Sequence, residues 1–131
     1  NRIRMKKSIL TLVFVFSAHF LIAQSNEIPE PANFKLYPTE NMYNFLKLDT
    51  RDGTIKLVQW SLEGDTRFEY PLNLIPLVAE SERSANRFAL YATQNSWTFI
   101  LLDQKSGSTW QVQWSTNASD RLIVPINYMS N

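Results

Sequence analysis

The chain has no cysteine, one histidine and three glycines among its 131 residues. Without cysteine there is no disulfide framework and no thiolate metal site. The one histidine, His19, falls in an N-terminal segment that reads as a targeting signal, so the folded part is expected to contain none. That excludes a Ser-His-Asp or Cys-His nucleophile system. What is present, 44% hydrophobic residues and a formal net charge of +1, fits one small globular domain.

Those totals mix two segments. Met5 is followed by basic Lys6 and Lys7, and an apolar stretch of fifteen residues runs from Ile9 to Ala23, interrupted by Thr11, Ser17 and His19. This is the pattern of a secretory signal peptide. The stretch is shorter than the roughly 20 residues a helix needs to cross a bilayer. Polar Gln24, Ser25, Asn26 and Glu27 follow it without a basic stop-transfer flank. Residues 1–23 are therefore expected to be signal, with 1–4 lying upstream of its start and 24–32 a linker to the domain. The cut is expected after Ala23 or, because Leu21 is large for its place before that site, after Ala18. No cysteine follows to carry a lipid anchor, so the membrane is expected to be met only through the cleaved signal, and the expected destination is the periplasm or the outside of a bacterial cell. Removing residues 1–23 takes away Arg2, Arg4, Lys6, Lys7 and His19, leaving nine Lys and Arg against twelve Asp and Glu. A net charge near −3 with no basic cluster argues against nucleic acid as a partner.

The rest of the chain is one unit used twice. A shift of 54 residues aligns Asn33 to Asn73 with Arg87 to Asn127 without a gap, and 16 of the 41 aligned positions are identical. Many of the others are conservative, as at Tyr43/Trp97, Leu46/Ile100, Glu40/Gln94 and Leu72/Ile126. The domain, 33–131, is thus expected to comprise repeats 33–73 and 87–127 joined by 74–86.

Each unit reads as short strands. Val, Ile, Tyr, Phe, Trp and Thr are abundant, and turn residues recur at short intervals. Strands are expected at about 34–37, 43–49, 54–61 and 67–72, and at 88–91, 97–103, 108–115 and 121–126. In the loops Asp49 to Gly53 and Asp103 to Gly107, the Asp can bond nearby backbone and the Gly can supply a positive φ. In Trp110-Gln111-Val112-Gln113-Trp114 the apolar residues share one face, as in a half-buried antiparallel strand. In the second strand, Tyr43 and Phe45 point one way and Leu46 and Leu48 the other, so both faces are expected to be partly covered. In the connection, Pro76 can start a short helix that turns Leu74, Leu77 and Val78 to the sheet. The expected fold is all-β: two similar antiparallel units of three to four strands with pseudo-two-fold symmetry, forming a barrel or a sandwich. A four-stranded unit of this size also matches a propeller blade, although two blades would need self-association to close.

The loops Leu48-Asp49-Thr50-Arg51-Asp52-Gly53-Thr54 and Leu102-Asp103-Gln104-Lys105-Ser106-Gly107-Ser108 resemble the Asp-x-x-x-Gly turn of quinoprotein-type propeller repeats. Gly107-Ser108-Thr109-Trp110 is similar to the end of an Asp-box, but Lys105 and Arg51 stand where that motif has Asp. The phrases Phe88-x-Leu90-Tyr91 and Trp110 to Ser115 resemble a group of small, duplicated, secreted bacterial β-repeat proteins of unknown function. That resemblance covers nearly the whole mature chain and implies export and a repeat architecture, but no activity.

Residues kept in both copies read as scaffold, because one catalytic centre has no need of two equal halves. Phe34/Phe88, Leu36/Leu90, Phe45/Phe99, Val58/Val112 and Trp60/Trp114 are the expected core. Arg67/Arg121 are expected to pair with carboxylates, with Asp49/Asp103 as candidates. Where the copies differ, Trp97 and Trp110 replace Tyr43 and Lys56 and add indole surface near Gln94, Asn95 and Gln111. Aromatic rings beside amides suit sugar stacking, and they suit protein contact equally well. Glu40, Asp49, Glu63, Asp65, Asp103 and Asp120 are the carboxylates a glycosidase-like hydrolase would use, and they read rather as solvated loop charge. Asp49, Asp52 and Asp103 lack the dense acid pattern of a calcium loop. No metal or cofactor is expected. The expectation is a non-enzymatic exported protein that works by binding or structural association, with a protein partner or itself. A glycan-binding module on Trp97, Trp110, Gln94, Asn95 and Gln111 is the alternative, and a hydrolase ranks third.

Overall fold

The computed structural model describes residues 30–131, so the expected signal segment and most of the linker 24–32 lie outside the described residues. The eight strands are β1 (Phe34–Pro38), β2 (Asn44–Asp49), β3 (Ile55–Gln59), β4 (Phe68–Asn73), β5 (Phe88–Ala92), β6 (Thr98–Asp103), β7 (Thr109–Gln113) and β8 (Leu122–Ile126). They form two antiparallel meanders, β1-β2-β3-β4 and β5-β6-β7-β8. The sheets do not close into a barrel; they pack as a sandwich, one repeat per sheet. The boundaries fall within two residues of those read from the sequence. Each expected polar loop before the fourth strand holds a single 3-10 turn, at Gly64–Thr66 and Ala118–Asp120.

The turns form for the expected reasons. Gly53 N–H donates to Asp49 O and Gly107 N–H to Asp103 O, and both glycines take a positive φ, 81° and 78°. The Asp49 carboxylate accepts the Arg51 N–H at 3.0 Å, and Asp103 accepts the N–H groups of Lys105 and Ser106. The connection differs from expectation. Pro76 begins no helix, the one helical turn is 3-10 at Glu80–Glu82, and Leu74 is exposed while Leu77 and Val78 pack on the core. Three backbone or hydroxyl bonds bind this segment and the start of β5 to the first hairpin, Leu77 N–H to Asp52 O, Phe88 N–H to Thr50 O and Asn86 N–H to Thr50 Oγ1, and a fourth, Gln104 N–H to Arg87 O, binds it to the second. They take up backbone groups that a helix would otherwise satisfy internally.

Alternation along each strand gives each sheet two faces, and the buried ones are not equivalent in the two copies. In sheet 1 the inner face carries Leu46, Leu48, Ile55 and Leu57, all fully buried, with Tyr37 and Tyr70 completing the row Tyr37, Leu46, Leu57, Tyr70. In sheet 2 the inner face carries Phe88, Leu90, Phe99, Leu101, Val112 and Trp114. Shifted by 54 residues, these are Phe34, Leu36, Phe45, Lys47, Val58 and Trp60, which lie on the outer face of sheet 1. The expected core pairs are therefore split. Phe88, Leu90 and Trp114 are 0%, 4% and 1% exposed, whereas Phe34, Leu36 and Trp60 are 54%, 59% and 37% exposed. A two-fold axis exchanging the copies would bury equivalent positions in both. Here the sheets stack in the same sense, front of one on back of the next.

This arrangement predicts unequal costs at equivalent positions. Phe88→Ala is expected to remove about 3–5 kcal/mol of stability, the usual loss for a buried Phe, and Phe34→Ala no more than about 0.5 kcal/mol. Urea unfolding of both variants reads the difference, and equal losses would contradict the stacking.

Candidate functional site

The five residues singled out from the sequence are divided by the fold. Gln94, Asn95 and Trp97 lie at the β5–β6 turn, where Thr93 Oγ1 donates to Thr98 O at 2.8 Å and the Asn95 carboxamide accepts the Trp97 N–H at 2.9 Å. Trp97 is half exposed and stacks on buried Trp114, ring centroids 4.5 Å apart, while the Trp114 indole N–H donates to Ser96 O. Beside that pair is an open groove formed with Gln113, Ser115 and Asp120. Trp110 belongs elsewhere. It shares the inner face with Val112 and Trp114, sits 6.1 Å from the Phe88 ring, and is packed against the core. Gln111, its neighbour, turns to the opposite face of β7. Trp97 and Trp110 therefore share no surface platform. The Trp97 groove has a counterpart in the first copy, with Tyr43 on Trp60 at 5.1 Å and the Trp60 indole N–H donating to Met42 O. In both grooves a β-strand glutamine amide closes the 3-10 loop: Gln59 donates to Thr66 O and Gln113 to Asp120 O. This ties the amides into the fold and leaves them less free for a ligand.

The turn carboxylates are not solvated loop charge. Asp49 and Asp103 are buried. Burial works to raise the pKa of Asp103, but the Arg87 guanidinium, Ser106 and the Lys105 and Ser106 N–H groups outweigh it and hold the carboxyl at about 2. At Asp49 burial is likewise outweighed, by hydrogen bonds and charge from Arg51 and the charge of Arg83, so its pKa is lowered. The partners differ from those expected. Asp103 takes two bonds from Arg87, at 3.0 and 2.9 Å, and Asp49 takes Arg51 and Arg83. Arg121 instead donates to the Ser115, Thr116 and Pro71 carbonyls and lies 4.2 Å over the Tyr70 ring, and Arg67 is exposed and makes none of the ion pairs among the described residues. The reason is positional: each hairpin Asp lies at the opposite end of the strands from the loop that precedes the fourth strand. Two carboxylates clamped in ionised form by guanidinium groups cannot act as general acids near neutral pH. Among the described residues no three His, Cys, Asp or Glu side chains come together as a metal-binding group.

The outer faces of the two sheets carry exposed apolar residues that the core does not use. On sheet 1 the register places Leu36, Lys47, Lys56 and Pro71 in one row and Pro38, Phe45, Val58 and Glu69 in the next, with Lys47 Nζ bonded to Glu69. On sheet 2 the rows are Tyr91, Ile100, Gln111, Val124 and Ala89, Leu102, Thr109, Ile126. Tyr91, Val124 and Ile126 are exposed. Apolar side chains contiguous on a sheet face are a recognised mark of an interaction surface. Sequence reasoning missed them because it treated residues kept in both copies as equally buried. The usable signal lay in the polar replacements, Lys47 for Leu101 and Gln111 for Leu57, which mark one face of each copy as open.

The lowered carboxylate of Asp103 fixes the sign of one pH effect. A depressed folded-state pKa contributes stability above the ordinary value of 3.8, and this is lost as pH falls toward about 2. Acid titration of unfolding stability should therefore fall more steeply over that window in the parent chain than in Asp103→Asn; parallel curves would contradict the Arg87 clamp.

Comparison of the chain with protein-family models, with curated proteins and with solved structures gives no match.

Proposed function

We propose that this is an exported, non-enzymatic protein that works by association with a protein partner through the outer faces of its two sheets. The observation that carries this reading is the exposure of Phe34, Leu36 and Trp60 on one side and of Tyr91, Val124 and Ile126 on the other. These are the counterparts of side chains that the domain uses internally to join its halves. Exposed aromatic and aliphatic residues interleaved with polar ones on a sheet face suit a protein contact. Export is supported by the N-terminal Lys6, Lys7 and Ile9 to Ala23 pattern. No helix among the described residues is long and apolar enough to cross a membrane.

A photoreactive phenylalanine placed at position 36 or 124 should, on irradiation in the cell that makes the protein, give discrete protein adducts. The same group at position 105, on the tip of the second hairpin, should give none. Absence of adducts from both faces would overturn the reading.

Glycan binding is the second reading, favoured by the half-exposed Trp97 ring beside Asn95 and the Gln113 groove. It predicts a shift of tryptophan emission on titration with an oligosaccharide panel, a shift that Trp97→Ala abolishes. No shift with any member would remove it.

A further inference from the structure

We propose that the partner is a second copy of this chain, bound head to tail, with the outer face of sheet 2 of one molecule seated on the outer face of sheet 1 of the next. The inference rests on the association reading above and names its occupant. Each molecule already contains this interface once. Sheet 1 offers its inner face to sheet 2, and a shift of 54 residues turns those two inner faces into the two outer ones.

The polar contacts that cross the internal interface have counterparts outside. Inside, the Leu90 N–H donates to the Tyr37 hydroxyl at 3.3 Å. The outer equivalents are Leu36, on the free edge strand β1, and Tyr91, which is half exposed. Inside, Arg121 donates to Pro71 O at 3.2 Å and covers the Tyr70 ring. The outer equivalents are exposed Arg67, with Pro125 and Val124, both exposed as well. Inside, the Phe88 N–H donates to Thr50 O at 2.8 Å; outside, Phe34 and Gln104 stand in those places. Both members of each pair are thus present and uncovered on opposite sides of one molecule.

Polarity changes on both sides together. Leu101, Trp110 and Ile123 on the inner face of sheet 2 become Lys47, Lys56 and Glu69 on the outer face of sheet 1. Ile55 and Leu57 on the inner face of sheet 1 become Thr109 and Gln111 on the outer face of sheet 2. Inside, these five positions belong to one apolar cluster, so the outer faces are matched in being wetter where the inner ones are dry. The outer contact also lacks the tether of Leu77 and Arg83, which hold the first hairpin through Asp52 and Asp49. It is therefore weaker than the internal one and depends on concentration. A front-to-back contact is heterologous and generates a ring where the rotation closes, or a filament where it does not.

Sedimentation of the purified chain over about 1 to 100 μM, the range in which micromolar contacts show themselves, tests the proposal with two variants at exposed positions. Leu36→Arg blocks the sheet 1 face and Val124→Arg the sheet 2 face. The parent chain should associate as concentration rises. Each variant alone should stay monomeric, and an equimolar mixture should give a one-to-one dimer that grows no further, because each variant keeps the face the other has lost. That complementation also shows that both variants are folded. A parent chain monomeric throughout would overturn the proposal. So would association abolished by one variant and untouched by the other, the mark of like faces pairing. Were the parent monomeric while positions 36 and 124 still gave adducts in cells, the second copy would fall and the association reading would stand.

Discussion

Each four-stranded meander carries two partly apolar faces and can cover neither alone, so the fold depends on how one face of the first sheet meets one face of the second. The contact joins Leu46, Leu48, Ile55 and Leu57 to Phe88, Leu90, Phe99, Leu101, Val112 and Trp114. With no cysteine to cross-link the chain, this cluster and the burial it achieves supply the cohesion that disulfides give many small exported domains. The rest of the architecture serves that contact. The connection between the repeats lies against the first hairpin, where Leu77 and Phe88 pack so closely on Gly53 that a Cβ there would come within 2.8 Å of Leu77. The equivalent Gly107 has open space around it. One turn, with its Asp and Gly kept in both copies, is thus a packing element in the first copy and a free hairpin in the second.

Much of the fold was legible from residue patterns. Trp110, Val112 and Trp114 alternate with Gln111 and Gln113, and along and just past β7 Val112 and Trp114 are buried with Trp110 packed against the core on the same side, as alternation requires. Asp and Gly at fixed places in both hairpins gave the turns, since a carboxylate bonding local backbone and a residue tolerant of positive φ have few other uses there. Which face of each sheet turns inward was legible only in the polar replacements Lys47 and Gln111, and not in the residues that the two copies share. Phe34 and Phe88 are the same residue in the same local sequence, and only tertiary placement decides that one is exposed and the other buried. The ion pairs failed for a related reason. Arg67 and Arg121 lie far along the strands from Asp49 and Asp103, while Arg87 and Arg83, from the less regular connecting region, reach those carboxylates. The candidate site suffered most, because Trp97, at the turn before β6, and Trp110, on β7, are thirteen positions apart and their separation depends on register and side, not on spacing alone.

A duplicated unit that stacks front to back has a consequence that a symmetric dimer of units does not. A symmetric pairing buries both copies of a surface and leaves nothing complementary behind. A front-to-back pairing leaves one unpaired front and one unpaired back. The outer faces here keep Phe34, Leu36, Phe45, Val58 and Trp60 on one side, and Tyr91, Ile100 and Leu102 on the other, while Lys47, Lys56, Glu69, Thr109 and Gln111 have entered at the intervening places. Polar residues among apolar ones allow a sheet face to stand in water and still be covered reversibly. Three of the four edge strands, β1, β4 and β8, carry a proline, at Pro38, Pro71 and Pro125, which discourages pairing through those edges, whereas β5 carries neither proline nor charge.

The stacking sense is tested most directly by hydroxyl-radical footprinting of the dilute chain, read by mass spectrometry at equivalent aromatic positions. Front-to-back stacking predicts that Phe34, Trp60 and Tyr91 are modified readily while Phe88, Trp114 and Tyr37 are protected. Equal modification within each pair, Phe34 with Phe88, Trp60 with Trp114 and Tyr37 with Tyr91, would contradict it.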